Sequence, residues 1–95
     1  MSSIKRLVLD LLKPHEIETV EFVRSLSEVR GVEGVNASLL ETDNQVQNLK
    51  LTIEGKNVDY EAVTETITNL GGTIHSVDEI ASGERLVEAV TTPQD

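Results

Sequence analysis

The groups in this chain that could do chemistry are few: two histidines, His15 and His75, and a set of carboxylates, of which Asp10, Asp78 and Glu79 hold the most interest. Asp10 interrupts the apolar run Leu7-Val8-Leu9-Asp10-Leu11-Leu12, and it is the one residue there that burial alone does not explain. Asp78 and Glu79 lie in a later segment with His75 just before them, while Ser38, Thr52 and Ser76 offer hydroxyls. Two carboxylates on a partly desolvated surface repel each other. That repulsion raises the affinity of one of them for a proton, or of the pair for a hard divalent cation such as Ca²⁺ or Mg²⁺. The first expectation for Asp10 is an ion pair with Lys50 or Arg6, or with a basic residue of a neighbouring subunit. The alternative is a hard-cation or ligand site in which Asp78, Glu79 and His75 join it.

Other chemistries are excluded by what is missing. No Ser-His-Asp set, phosphate-cradling glycine loop or HExxH zinc motif is present. With no cysteine there is no disulfide framework, thiol nucleophile or thiolate metal site. Glu41, Asp43 and Asn44 fail the EF-hand spacing, lacking the glycine at its sixth position and the glutamate at its twelfth. The remaining acids Glu16, Glu18, Glu21 and Glu28 read as the solvated face of a helix. The chain is therefore expected to be non-enzymatic.

The elements that must position these groups follow from periodicity. Ile4 to Leu12 reads as a strand with Leu7, Leu9 and Leu11 on one face and Arg6, Val8, Asp10 and Leu12 on the other. Pro14 suits a first helical position, so helix one is expected over His15 to Val29, with Ile17, Val20, Phe22, Val23, Leu26 and Val29 as its buried stripe. Gly31 suits a left-handed helix end, and strand two follows from Val35 to about Thr42. The polar stretch 43–48 reads as a hairpin connection into strand three, Leu49 to Glu54. Asp59 is a good N-cap for helix two, stapled by Val58 and Val63, and Gly71-Gly72 stops that helix before strand four, Thr73 to Ala81. Arg85 to Val90 alternates weakly and is read as an added strand, with a short helix as the alternative.

That order is βαββαβ, which right-handed crossovers fold into an α+β, ferredoxin-like sandwich: a four-stranded antiparallel sheet with both helices on one face. Residues 1–90 form the single domain and 91–95 a tail. Asp10 then lies mid-sheet on the face without helices. Val8, Leu12 and Leu40 on that face are the expected interface, since an exposed apolar group of this kind marks a contact surface.

Length and charge bound the partners. A 95-residue chain buries roughly 60 to 65 percent of its unfolded surface, and with Phe22 and Tyr60 its only aromatics the core is aliphatic and thin, which favours self-association. Seventeen acidic against eight basic side chains give a net charge of -9, which repels nucleic acid and anionic membranes. The apolar run after Met1-Ser2-Ser3 is too short and too interrupted for a signal peptide or a span, so a soluble cytoplasmic protein is expected.

Four segments together, Leu7 to Glu16, Gly31 to Asn36, Leu51 to Gly55 and Gly71 to Glu79, resemble an archaeal family catalogued as domain of unknown function 211. The resemblance covers nearly the whole chain. It implies a ferredoxin-like fold and assembly into homo-oligomers, rings among them, and it brings no catalytic residues to carry over. The stretch Gly31-Val32-Glu33-Gly34-Val35 is also similar to heavy-metal-associated domains, but Lys13-Pro14-His15-Glu16 stands where those keep a Cys-x-x-Cys pair, which excludes copper carriage. Amino-acid-binding ACT domains share the element order, yet their Asp-x-Pro-Gly ligand loop is missing at the same place.

Overall fold

The computed structural model describes residues 3–90. Its elements are β1 (Ile4–Pro14), α1 (Thr19–Ser27), β2 (Gly34–Thr42), β3 (Val46–Glu54), α2 (Tyr60–Asn69) and β4 (Thr73–Ser82). The sheet runs β2-β3-β1-β4 with every neighbouring pair antiparallel. This is the ferredoxin-like α+β arrangement, and the period-two pattern of β1 is what builds it. Leu7, Leu9 and Leu11 face Ile53, Leu51 and Leu49 across the central ladder, and Phe22 and Leu26 of α1 with Val63 and Ile67 of α2 complete one buried cluster on that side. Both helices therefore cover one face and leave the other open.

Several expectations about boundaries need correction. Helix one does not begin at Pro14: β1 continues through Lys13 and Pro14, paired to Gln47 and Val46, and α1 starts only at Thr19. The reason lies in Lys13. Its position continues the core-facing series 7, 9, 11, and its side chain is 1% exposed. The buried ammonium donates to the carbonyls of Pro14 (3.0 Å) and Ile17, so the segment between strand and helix is fastened as a turn around a cation. The first helical hydrogen bond there is Phe22 N–H to the Glu18 carbonyl, 3.0 Å. At the other end α1 stops at Ser27, and Val20, expected in the buried stripe, is 59% exposed.

The hairpin is tighter than expected, with β3 beginning at Val46. Asp43 closes it: one carboxylate oxygen accepts the N–H groups of Gln45 (2.8 Å) and Val46 (2.9 Å). Those bonds, Val46's first, hold its carboxyl below the usual carboxylate range. The expected N-cap is as read, since Asp59 accepts the Ala62 N–H at 3.0 Å, with Val58 and Val63 both in the core cluster. The added strand is not formed: residues 84–90 follow β4 without regular structure. The expected tail, 91–95, lies outside the described residues.

Two glycines let the loops at one end of the sandwich cross. Gly31 adopts φ +85°, and a β-carbon there would sit 1.9 Å from the Asn57 carbonyl oxygen; one on Gly55 would sit 1.9 Å from the carbonyl oxygen of Gly31. The crossing is sewn by Glu33 N–H to Glu54 O, 2.8 Å, and Asp59 N–H to Arg30 O, 3.2 Å. Gly31→Ala meets both left-handed strain and a backbone clash, so it should lower stability by roughly 3 kcal/mol or more. Gly34→Ala, with nothing within 4 Å and no positive φ, should shift it by less than about 0.5 kcal/mol. Urea unfolding midpoints of the two variants, read beside the wild type, check the contrast.

Candidate functional site on the open sheet face

The open face is a grid set by strand register. Down β1 it presents Arg6, Val8, Asp10 and Leu12; opposite them stand Glu54, Thr52, Lys50 and Asn48 of β3, and Ala81, Glu79, Ser76 and Thr73 of β4. β4 is bulged twice. Val8 pairs with Glu79 but Leu9 with Val77, and Asp10 pairs with Ser76 but Leu11 with Ile74, so Asp78 and His75 are the two residues left without a partner on β1.

The bulges separate the groups that the sequence brought together on paper. Asp10 has Lys50 and Ser76 as its cross-strand neighbours, not Asp78 or Glu79. It is half-buried, and its Oδ1 accepts a hydrogen bond from the Asn48 amide, which also donates to the Leu11 carbonyl at 3.1 Å. Asp78 is exposed and accepts from the Ser76 hydroxyl at 2.7 Å. His75 lies near the far end of the face, in a shallow cavity shared with Leu12, Glu41 and Asn48. Among the described residues no three His, Asp or Glu side chains gather as ligands of one metal ion would.

Within the chain, the expected ion pair of Asp10 with Lys50 or Arg6 is not formed either. Among the described residues neither Lys50 nor Arg6 makes a salt bridge with it. Arg6 lies four residues away on the same strand, about 13 Å along it. Its guanidinium is taken by three carboxylates: Glu54 at 2.7 Å, Glu79 at 3.2 Å and Glu88 at 2.7 Å. The Glu88 contact is bidentate, its second bond 3.0 Å, and it draws the segment after β4 back over the sheet. The three carboxylates, Glu88 first, raise the Arg6 pKa, and Arg6 in turn holds the Glu88 carboxyl below its usual range.

This cluster also changes the expected interface. Val8, opposite Glu79 in the ladder, is only 7% exposed, so it is not available for contact. Leu12 is half-buried beside His75, and Leu40 alone of the three is exposed. It sits where β2 slips by one residue against β3, since Leu39 pairs with Leu49 and Glu41 with Asn48.

Compared with known proteins, the chain matches over residues 5–95 the model of the DUF211 family, described as "Uncharacterized ArCR". The chain belongs to the DUF211 family. It is also 45% identical to "Uncharacterized protein MJ0319" of Methanocaldococcus jannaschii, over the whole of this chain and 98% of that protein. The resemblance carried by the motifs at Leu7, Gly31, Leu51 and Gly71 is thus a family membership. Among the described residues of this DUF211 chain, no helix is long and apolar enough to cross a membrane.

Lys13 and Arg6 have roles that differ from those expected: Lys13 is a buried cation and not part of a helix start, and Arg6 holds three glutamates and not Asp10. A signal for each was present: Lys13 falls in the core-facing series of β1, and Arg6 stands opposite Glu54 once β1 and β3 are paired. Lys13 yields a test. Burial lowers its pKa from 10.5, with Glu16 and then Glu18 opposing that shift. Between the lowered value and 10.5 the unfolded chain binds more protons than the folded one, so stability rises with pH in that window and levels off above it. Urea unfolding from about pH 8 to above pH 10.5 should show this rise in the wild type and its loss in Lys13→Met.

Proposed function

We propose that this DUF211 chain is a non-enzymatic domain that works as a homo-oligomer. One observation supports the reading above the others. Apolar side chains remain outside at both edges of the sheet: Leu39 and Leu40 on β2, Val77 and Ile80 on β4, each 40 to 55% exposed or slightly more. A chain with two aromatic residues and a single aliphatic cluster has little core to spare, and exposed apolar groups of this size mark contact surfaces. Against catalysis, Arg6 is taken up by three glutamates and Asp78 by the Ser76 hydroxyl, and no cleft on the open face gathers a second catalytic partner for Asp10 among the described residues. At micromolar concentration, light scattering should give a mass at a multiple of the 10.4 kDa chain; a mass of one chain would remove the reading.

A second reading is a ligand-binding or regulatory module that takes a hard divalent cation or a small metabolite. It is favoured by Asp10, a half-buried carboxylate oriented by Asn48 with no cation paired to it among the described residues. Calorimetric titration with Ca²⁺ and Mg²⁺ should then show binding in the wild type and its loss in Asp10→Asn. Equal heats from both proteins, or none from either, would count against Asp10 as the site.

A further inference from the structure

We infer that the cavity at the hairpin end of the open face binds a short-chain primary amine in its ammonium form. This rests on the ligand-binding reading and gives it a place and a chemical class.

The cavity lies where two strand irregularities, one at each edge of the sheet, converge. Along β2, Val35, Ala37 and Leu39 pair with Ile53, Leu51 and Leu49 and so lie on the helix-covered side. An unbroken count would put Glu41 on that side as well. The slip after Leu39 sets it opposite Asn48 instead, on the open face. β4 does the same from the other edge. With Ser76 opposite Asp10, an unbroken ladder would place His75 opposite Leu11, beneath the helices; the bulge gives that place to Ile74 and turns His75 into the cavity. β3 and β1 lie between these two strands, whose backbones are thus about 14 Å apart, and Glu41 and His75 stand on opposite rims. Leu12 and Val46, both half-buried, form with Asn48 the floor between them.

The lining selects a cation. Among the described residues it contains no lysine or arginine, and Glu41 pairs with no cation. Asn48 spends both amide hydrogens on Asp10 and the Leu11 carbonyl, so what it has left to offer is its own carbonyl oxygen, an acceptor. The carboxylate of Asp43 is spent on the hairpin turn but adds its negative charge. An anion would meet carboxylates and lone pairs here. A bare divalent ion would lack ligands, because no three His, Asp or Glu side chains gather among the described residues, and it would make no use of Leu12 and Val46. An ammonium group needs only the acceptors that Glu41 and Asn48 supply, while the carbon chain behind it covers the apolar floor towards the His75 ring. The volume of about 220 Å³ falls below the roughly 300–1,000 Å³ of sites for drug-sized ligands, which limits the chain to a few carbons. The net charge of -9 draws such cations to the surface.

Glu41 is exposed and outside the core cluster, so Glu41→Gln removes its charge from a folded chain, which circular dichroism checks. Saturation-transfer NMR on the full chain reads binding of n-butylamine, with n-butanol as the uncharged probe of equal chain length. The amine should show saturable transfer, the alcohol little, and Glu41→Gln should weaken amine binding roughly tenfold or more. Glu33→Gln removes an exposed charge beyond the opposite end of β2 and should leave amine binding unchanged. No saturable transfer from the amine, equal binding of the alcohol, Glu41→Gln binding as the wild type does, or equal losses in the two variants would each overturn the assignment. The Ca²⁺ and Mg²⁺ titrations of wild type and Asp10→Asn report separately. If those ions bind at Asp10 and the amine does not bind, the ligand-binding reading stands without this cavity; if neither binds, both fall.

Discussion

The structure depends on the six-residue aliphatic ladder between β1 and β3. Leu7, Leu9 and Leu11 against Ile53, Leu51 and Leu49 are all essentially inaccessible, and they are the floor on which both helices rest. Each such side chain contributes about 1.5 to 3 kcal/mol by leaving water. With one phenylalanine and no tryptophan, the chain has no large ring to cover the outer strands as well. The cover therefore thins outward: the core-facing residues of β3 and β1 are buried, whereas Leu39 on β2 and Val77 and Ile80 on β4 are not. The sheet is thus well covered in its middle and thinly covered at its margins.

The same thin core accounts for the buried lysine. At the end of the β1 series, position 13 points into the space beneath the turn that leads to α1, and an apolar residue there would leave the Pro14 and Ile17 carbonyls without a donor. Lys13 fills the volume with its methylene stem and satisfies both carbonyls with its head. The cost is a desolvated cation, partly offset by Glu16 and Glu18. Lys13 thereby does for the strand-to-helix turn what Asp59 does for the start of α2, with the charge reversed.

The fold was legible because it is written in short-range patterns: the two-residue period of β1 and β3, the Asp59 cap, and the glycines at 31 and 71. The reading failed where tertiary context overrode a local preference. Pro14 looked like a helix start because the role of Lys13 depends on carbonyls that only the folded turn brings to it. Val20 looked buried because helical spacing does not say how far a nine-residue helix reaches across a sheet. On the open face, the strand order correctly put β4 beside β1, but two bulges in β4 moved Asp78 and His75 out of register with Asp10. Bulges have no reliable signature in a single sequence, and without them no count along β4 gives the neighbours of a particular carboxylate. Arg6 with its three glutamates was hidden for a similar reason, since Glu54, Glu79 and Glu88 come from three separate segments.

Electrostatics opposes the approach of one such chain to another. Each carries a net charge of -9, so close approach is opposed over most of the surface, and more strongly at low ionic strength. The opposition is weakest where carboxylates are absent from both sides of the contact. α1 brings Glu21 in its first turn, α2 brings Glu61, and β4 brings Asp78 and Glu79. The stretch 34–40 brings none. Arg6 holds Glu54, Glu79 and Glu88 on the open face and so gathers three of the chain's negative charges around a cation, although Glu54 itself stands opposite Gly34 of β2. The uncharged stretch of β2 and the saturated arginine are thus two features of one charge distribution, in which an acidic chain gathers three of its carboxylates around a cation and leaves residues 34–40 without charge.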